Sequence, residues 1–200
     1  LYDKYGYAPE AMVESAMRHL RILEDLDFYD TIVSLKASDV PRMAQAYRLF
    51  AQKTDYPLHL GVTEAGSKIP GTVKSAMGIG MLLSEGIGDT IRISLSEDPK
   101  EEVKVGRLIL RTLGLRNEGV QVTSCPTCAR THVDVIKMVE EIENRTEKIK
   151  KPIHVAVMGC AVNGPGEAKE ADLGIVGGKD TCLFYKKGEI IEHITKDRIV

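Results

Sequence analysis

Apolar residues follow two periods along this chain, and the switches between them mark out its elements. Over 9–26 (PEAMVESAMRHLRILEDL) Met12, Ala16, Leu20 and Leu23 recur at helical spacing, with Pro9 suited to a first turn. TIVSLK (31–36) is a short apolar run of the buried-strand type. Asp39 and Pro41 signal the next helix, with Met43, Tyr47 and Phe50 along one face. PLHLGVTEAG (57–66) reads as a strand ending at Gly66. Residues 72–85 read as a helix rich in small side chains, ended by Gly86 and Gly88. DTIRISL (89–95) is another strand, and Pro99 opens a helix to about Leu113. Strands alternating with helices indicate an α/β fold with parallel strands. Only about three such units are visible, too few to close an eight-stranded barrel.

The organisation changes near RNEGV (116–120). Residues 120–124 predict a strand leading into Cys125-Pro-Thr-Cys128. A long charged helix is expected over about 131–149, with Val135, Val139 and Ile142 at helical spacing. IHVAVMG (153–159) is a buried strand running into CAVNGPGE, a loop rich in Gly and Pro. Strand-like segments follow at 172–176, 182–185 and 189–194, with a hairpin turn at 186–188. The chain thus divides into residues 1–115 and a second, smaller α/β domain, 116–200.

Composition narrows the function classes. The 200 residues are 43% hydrophobic and 28% charged with a formal net charge of -2, and no long block of one sign appears. Neither nucleic acid nor an anionic membrane is indicated as the main partner. No apolar stretch is long enough to span a bilayer. LYDKYGYAPEAMVES is polar and partly acidic, unlike a signal peptide, and it lacks an initiator Met, as in a fragment or a processed product. Four cysteines without a secretion signal point to a reducing, cytoplasmic compartment, where clustered thiols bind metal or do redox chemistry.

Cys125-x-x-Cys128 alone fits a redox dithiol, half a zinc site or part of an iron–sulfur site. Cys160 tilts the balance toward an inorganic cofactor. It also follows a buried strand, so it can converge on the first pair, and no second close pair completes a zinc ribbon. The Gly-rich loop after it can expose backbone N–H groups to cluster sulfides. Cys182 in TCLFY reads as a buried apolar side chain. Glu167 would be a harder, more weakly held iron ligand, exchangeable for substrate oxygen. In the first half, Lys36, Glu64, Arg92 and Ser94 sit at or near strand ends. Arg92 and Ser94 share one strand face, opposite Ile91, Ile93 and Leu95. A guanidinium buried in a strand would need a partner such as phosphate. His19, His132, His154 and His193 fit no motif.

SLKASD (34–39), LHLGVTEAG (58–66), LLSEGIGDTIRISL (82–95), SCPTC (124–128) and GCAVNGPGEA (159–168) together resemble the 4-hydroxy-3-methylbut-2-enyl diphosphate synthase family. The resemblance runs in order over nearly the whole chain. It implies the last strands and helices of a TIM-type barrel followed by a smaller α/β iron–sulfur domain. Earlier barrel strands with further phosphate-binding arginines, and a final helix, would lie outside this chain. The resemblance also implies a 4Fe-4S cluster on Cys125, Cys128, Cys160 and Glu167, with Asn163 contacting substrate beside the iron that Glu167 holds. Lys36, Arg92 and Ser94 would bind the diphosphate, and Glu64 would donate a proton, flanked by His59 and Thr63. The expected reaction is reductive ring opening and dehydration of 2-C-methyl-D-erythritol 2,4-cyclodiphosphate. Electrons would come from ferredoxin or flavodoxin, and a head-to-tail homodimer is implied. The competing readings are an iron–sulfur electron-transfer module without its own substrate and a zinc-binding structural domain.

Overall fold

The computed structural model describes residues 1–195 and divides into two compact units, Leu1–Arg116 and Asn117–Val200. It is a mixed α/β protein with parallel strand pairing in each unit. The first unit runs α1 (Tyr2–Tyr5), α2 (Pro9–Glu24), α3 (Val40–Ala51), β1 (His59–Leu60), α4 (Lys68–Ser84), β2 (Thr90–Ile91) and α5 (Pro99–Thr112). Helix starts follow local chemistry. The Asp39 carboxylate accepts the Arg42 N–H at 2.8 Å, and the Asp98 carboxylate accepts the Lys100 N–H at 2.9 Å. Each caps a donor that the first turn leaves unpaired, and Pro in the first turn forfeits none. The small-residue helix begins at Lys68, earlier than residue 72, because Pro70 is tolerated in its first turn.

Three extended segments lie side by side in this unit, joined as Val33 beside Leu58 and Leu60 beside Ile91, all parallel. Their regular ladders are far shorter than the sequence predicts. Segment 31–36 makes one isolated bridge, and β1 and β2 hold two residues each. Tyr47 supplies a physical reason on the first segment. Its side chain is fully buried, and its hydroxyl accepts the Leu35 N–H at 2.9 Å and donates to the His59 carbonyl at 2.6 Å. A direct Leu35 to His59 ladder bond is thereby replaced by a side chain wedged between strands. Asp89 then fixes the next pairing from both sides. Its carboxylate accepts the Leu58 N–H at 2.7 Å, and its own N–H donates to the Leu58 carbonyl at 2.9 Å.

One face of the three segments is apolar and packs under helices. Val33, Leu35, Leu58, Leu60, Val62 and Ile93 join Met43, Tyr47, Phe50, Ile79 and Leu82 in a single core. The alternate residues form the opposite, polar face.

The second unit contains β3 (Val120–Ser124), α6 (Val135–Thr146), β4 (Ile153–Met158), α7 (Gly164–Glu170), β5 (Leu173–Val176), β6 (Thr181–Lys186) and β7 (Glu189–Thr195). One five-stranded sheet has the order β3-β4-β5-β6-β7, parallel through β5 and antiparallel beyond it. β4 is buried on both faces from Val155 to Met158, which explains the apolar run there. Val155 and Val157 pack with Val135 and Met138 of α6, while Ala156 and Met158 pack with Ala168 of α7. Lys187 and Gly188, with φ of 50° and 83°, make a two-residue β6–β7 turn of the kind that matches strand twist.

Two expectations change here. The charged helix occupies only Val135–Thr146, because the Asp134 carboxylate caps it at the Lys137 N–H and residues 129–134 are irregular. The Gly- and Pro-rich segment after Cys160 is a loop only to Asn163, and α7 then takes up Gly164, Pro165, Gly166 and Glu167.

Tyr47→Phe keeps the ring but strands a buried Leu35 N–H and removes the donor to His59. We expect a loss of about 1–3 kcal/mol in unfolding free energy, read as a lower urea midpoint with an unchanged slope.

Candidate functional site

Two groups of chemically active side chains are built on these sheets, one in each unit. In the first, the parallel register continues past the short ladders. The Thr63 N–H donates to the Ala37 carbonyl at 3.2 Å, and the Arg92 N–H donates to the Leu60 carbonyl at 2.8 Å. Lys36, Gly61 and Arg92 therefore fall in one row on the polar face. Gly61 leaves the space that the row needs, since a Cβ there would lie 3.1 Å from Lys36 Cδ and 2.8 Å from the Arg92 carbonyl oxygen. Ser34, His59 and Thr90 form the preceding row, and Ser38, Thr63 and Ser94 the following one.

Lys36 lies within the field of the Arg92 charge. Burial pushes the Lys36 ammonium below its ordinary range, and the neighbouring Arg92 charge adds to this. The His59 imidazole is lowered by burial and then by Lys36 and Arg92, and its Nδ1 lies 2.7 Å from Thr90 Oγ1. Like charges held side by side favour an incoming anion. Arg92 is exposed, not buried as its place in a strand run suggested, because the helices pack on the other face. Ser94 is half-buried on the same face. Glu64 follows Thr63 at the turn, exposed and with φ 51°, a backbone state that side chains other than Gly rarely adopt.

In the second unit the parallel register carries Cys125 one step beyond Ser124, level with Met158. The Gly159 N–H donates to Cys125 Sγ at 3.1 Å. After Cys128 the chain turns back. The Thr131 N–H donates to the Cys128 carbonyl at 3.0 Å, and the Thr131 hydroxyl accepts the Cys128 N–H at 3.1 Å and lies 3.8 Å from the sulfur. The His132 N–H then donates to the Gly159 carbonyl at 2.9 Å, pinning this turn to the end of β4. Hydrogen bonds from the Arg130 backbone and then Thr131 hold the Cys128 thiol below its usual range. This turn replaces the direct strand-to-helix junction expected for CPTC, so Cys128 does not sit at a helix N-terminus.

A cavity of about 180 Å³ gathers Cys125, Cys128 and Cys160 with Arg130, Met158 and Asn163 in its wall. Glu167 lies outside that wall, exposed on α7 one helical turn from Asn163, and its N–H donates to the Asn163 carbonyl at 3.3 Å. Cys182 is fully buried in β6 and away from the cavity wall. Among the described residues no three His, Cys, Asp or Glu side chains converge tightly enough to hold one metal ion. A lone tetrahedral zinc ion needs four donors about 2.0–2.3 Å from one point. Three soft thiol donors in one cavity wall suit a soft metal or a thiolate-bound group. Arg130, Thr131 and Gly61 were not singled out in the sequence. No motif marks them apart from their adjacency to Cys128 and to the strand carrying His59.

Residues 1–107 match the GcpE TIM-barrel domain, and residues 121–200 match the GcpE protein C-terminal domain. The chain belongs to the GcpE family. Among GcpE relatives, the 4-hydroxy-3-methylbut-2-en-1-yl diphosphate synthase (flavodoxin) of Caldanaerobacter subterraneus subsp. tengcongensis is 59% identical over 201 residues, spanning 100% of this chain and 57% of its own length. The protein of the same name from Clostridium perfringens is 57% identical over 201 residues, covering 100% of this chain and 58% of its own length. That of Clostridium acetobutylicum is 59% identical over 191 residues, 96% of this chain and 55% of its own. This GcpE chain thus spans a little over half the length of these relatives. Among its described residues no helix is long and apolar enough to cross a membrane.

The lowered thiol predicts selective chemistry in the metal-free chain. Thiolate is the nucleophile, so Cys128 should alkylate with iodoacetamide at a lower pH than an ordinary thiol. Thr131→Val removes a hydroxyl from the sulfur and should move that pH midpoint upward, as read by mass spectrometry of the labelled peptide.

Proposed function

We propose that this chain carries the last part of the substrate barrel and the iron–sulfur domain of a 4-hydroxy-3-methylbut-2-en-1-yl diphosphate synthase. Support comes first from one observation, the meeting of Cys125, Cys128 and Cys160, brought from two strand ends, around a single cavity. The reaction takes 2-C-methyl-D-erythritol 2,4-cyclodiphosphate, two electrons and two protons to 4-hydroxy-3-methylbut-2-enyl diphosphate and one water. A bound 4Fe-4S cluster would supply single-electron transfer and a Lewis-acidic iron.

The chain's own residues take the remaining tasks. Lys36 and Arg92 hold the diphosphate as paired cations, with the Ser94 hydroxyl on the same face. Binding energy at this remote group is thereby spent on orientation. Glu64 donates a proton toward the departing hydroxyl. Cys125, Cys128 and Cys160 would hold the cluster. Glu167, one helical turn from Asn163 on α7, would hold the remaining iron, and Asn163 would contact the substrate. Flavodoxin, named in the relatives, is the electron donor, and a head-to-tail homodimer is the assembly. An electron-transfer module without its own substrate would have no use for a cation row on a polar sheet face, so that alternative is not favoured.

Anaerobic reconstitution with iron and sulfide should give a brown protein with about four irons per chain. Cys125→Ser, Cys128→Ser and Cys160→Ser should each lose most of the colour. A colourless wild-type chain holding one zinc would overturn the reading. Arg92→Ala should weaken pyrophosphate binding by about tenfold to a hundredfold in calorimetry, as expected for loss of a charge-assisted hydrogen bond. Unchanged affinity would remove Arg92 from the anion site. In the full-length enzyme, Glu167→Ala should keep a cluster with an altered spectrum and lose most turnover. Full turnover would exclude Glu167 as a ligand that matters.

A further inference from the structure

Arg130 is the one charged side chain, thiols apart, among the described residues lining the cysteine cavity. It stands two residues after Cys128, in the turn that Thr131 and His132 pin to the Cys128 carbonyl and to Gly159. The backbone of Arg130, and behind it the guanidinium, help to hold the Cys128 thiol below its usual range. The Thr131 hydroxyl lies 3.8 Å from that sulfur, whereas Cys125 receives the Gly159 N–H. The one full positive charge among the described wall residues therefore shares the cavity with the three thiols and stands two residues from Cys128.

Reduction potentials of thiolate-bound clusters follow net charge, hydrogen bonds to sulfur and solvent exposure. Resting on the iron–sulfur reading above, we propose that Arg130 is a positioning residue that raises the reduction potential of the cofactor held by Cys125, Cys128 and Cys160. Adding one electron makes the cofactor more negative, and a guanidinium at its edge favours that state by direct Coulomb attraction. Arg130 is exposed, so salt screens its charge, and the effect shrinks as ionic strength rises. A side chain that only braced the turn would show no such salt dependence. Such a device suits a cluster loaded by a separate one-electron donor, because the potential sets how completely that donor reduces it.

The test is an anaerobic redox titration of the reconstituted full chain, followed by electron paramagnetic resonance, for wild type, Arg130→Lys and Arg130→Gln. The midpoint of Arg130→Gln should fall below wild type at low salt, and the gap should narrow at high salt. Arg130→Lys, which keeps the charge, should stay near wild type. Equal midpoints for Arg130→Gln and wild type overturn the proposal, as does a salt-independent gap. An Arg130→Lys midpoint as low as that of Arg130→Gln also overturns it, because donor geometry would then be the cause. If Arg130→Gln holds no cluster while Arg130→Lys does, the residue retains the cofactor instead of tuning it, and the proposal falls. A wild-type chain that takes up no cluster defeats the iron–sulfur reading itself, a result distinguishable from all of these.

Discussion

The parallel ladder governs where chemistry sits in both units. Strands that run the same way end on the same edge, and side chains two apart share a face. Once Val33, Leu58 and Asp89 are in register, Lys36 and Arg92 have no choice but to share a row. Once Ser124 pairs with Val157, Cys125 must stand against Met158 and the start of the Cys160 loop. Neither pair of groups attracts its partner, since two cations repel and two thiols barely interact. Burial of the apolar alternates holds them together. This is how the folded chain keeps the Lys36–Arg92 row and the three thiols assembled.

Close approach is the second requirement, and a few glycines meet it. A Cβ at Gly164 would meet Val176 Cγ1 at 2.3 Å, and one at Gly174 would meet the Ala168 methyl at 2.5 Å. α7 therefore lies directly on β5, which brings Asn163 to the cavity wall. Gly177 approaches the Gly159 carbonyl in the same manner and donates its N–H to Met158 at 2.7 Å. The backbone just past β4 is thus closely packed, and the Gly159 N–H there is directed at the Cys125 sulfur.

Much of this was legible in the sequence because it depends on local signals. Pro9, Asp39 and Pro99 announce helices, and the apolar runs before Cys125 and Cys160 announce two strand ends that can meet. Strand extent was not legible, because it depends on a hydroxyl from Tyr47, which reads in the sequence as one more face residue of α3. The span after Cys160 was misread for a related reason. Gly164 and Gly166 look like loop residues by propensity, yet Gly164 is demanded by Val176 across the sheet. Arg130 carried no pattern at all. Its place in the cavity wall arises from the Thr131 and His132 hydrogen bonds, which only the fold creates.

The Tyr47 hydroxyl has a dynamic corollary. The Leu35 amide is protected from exchange with solvent by a side chain of α3, not by the neighbouring strand. It can open only when α3 lifts from the sheet, so its exchange rate reports the docking of a helix. Lys36 is the next residue along. A helix on the apolar side and a cation on the polar side thereby belong to one opening unit, and loosening α3 would loosen the Lys36 row through the sheet.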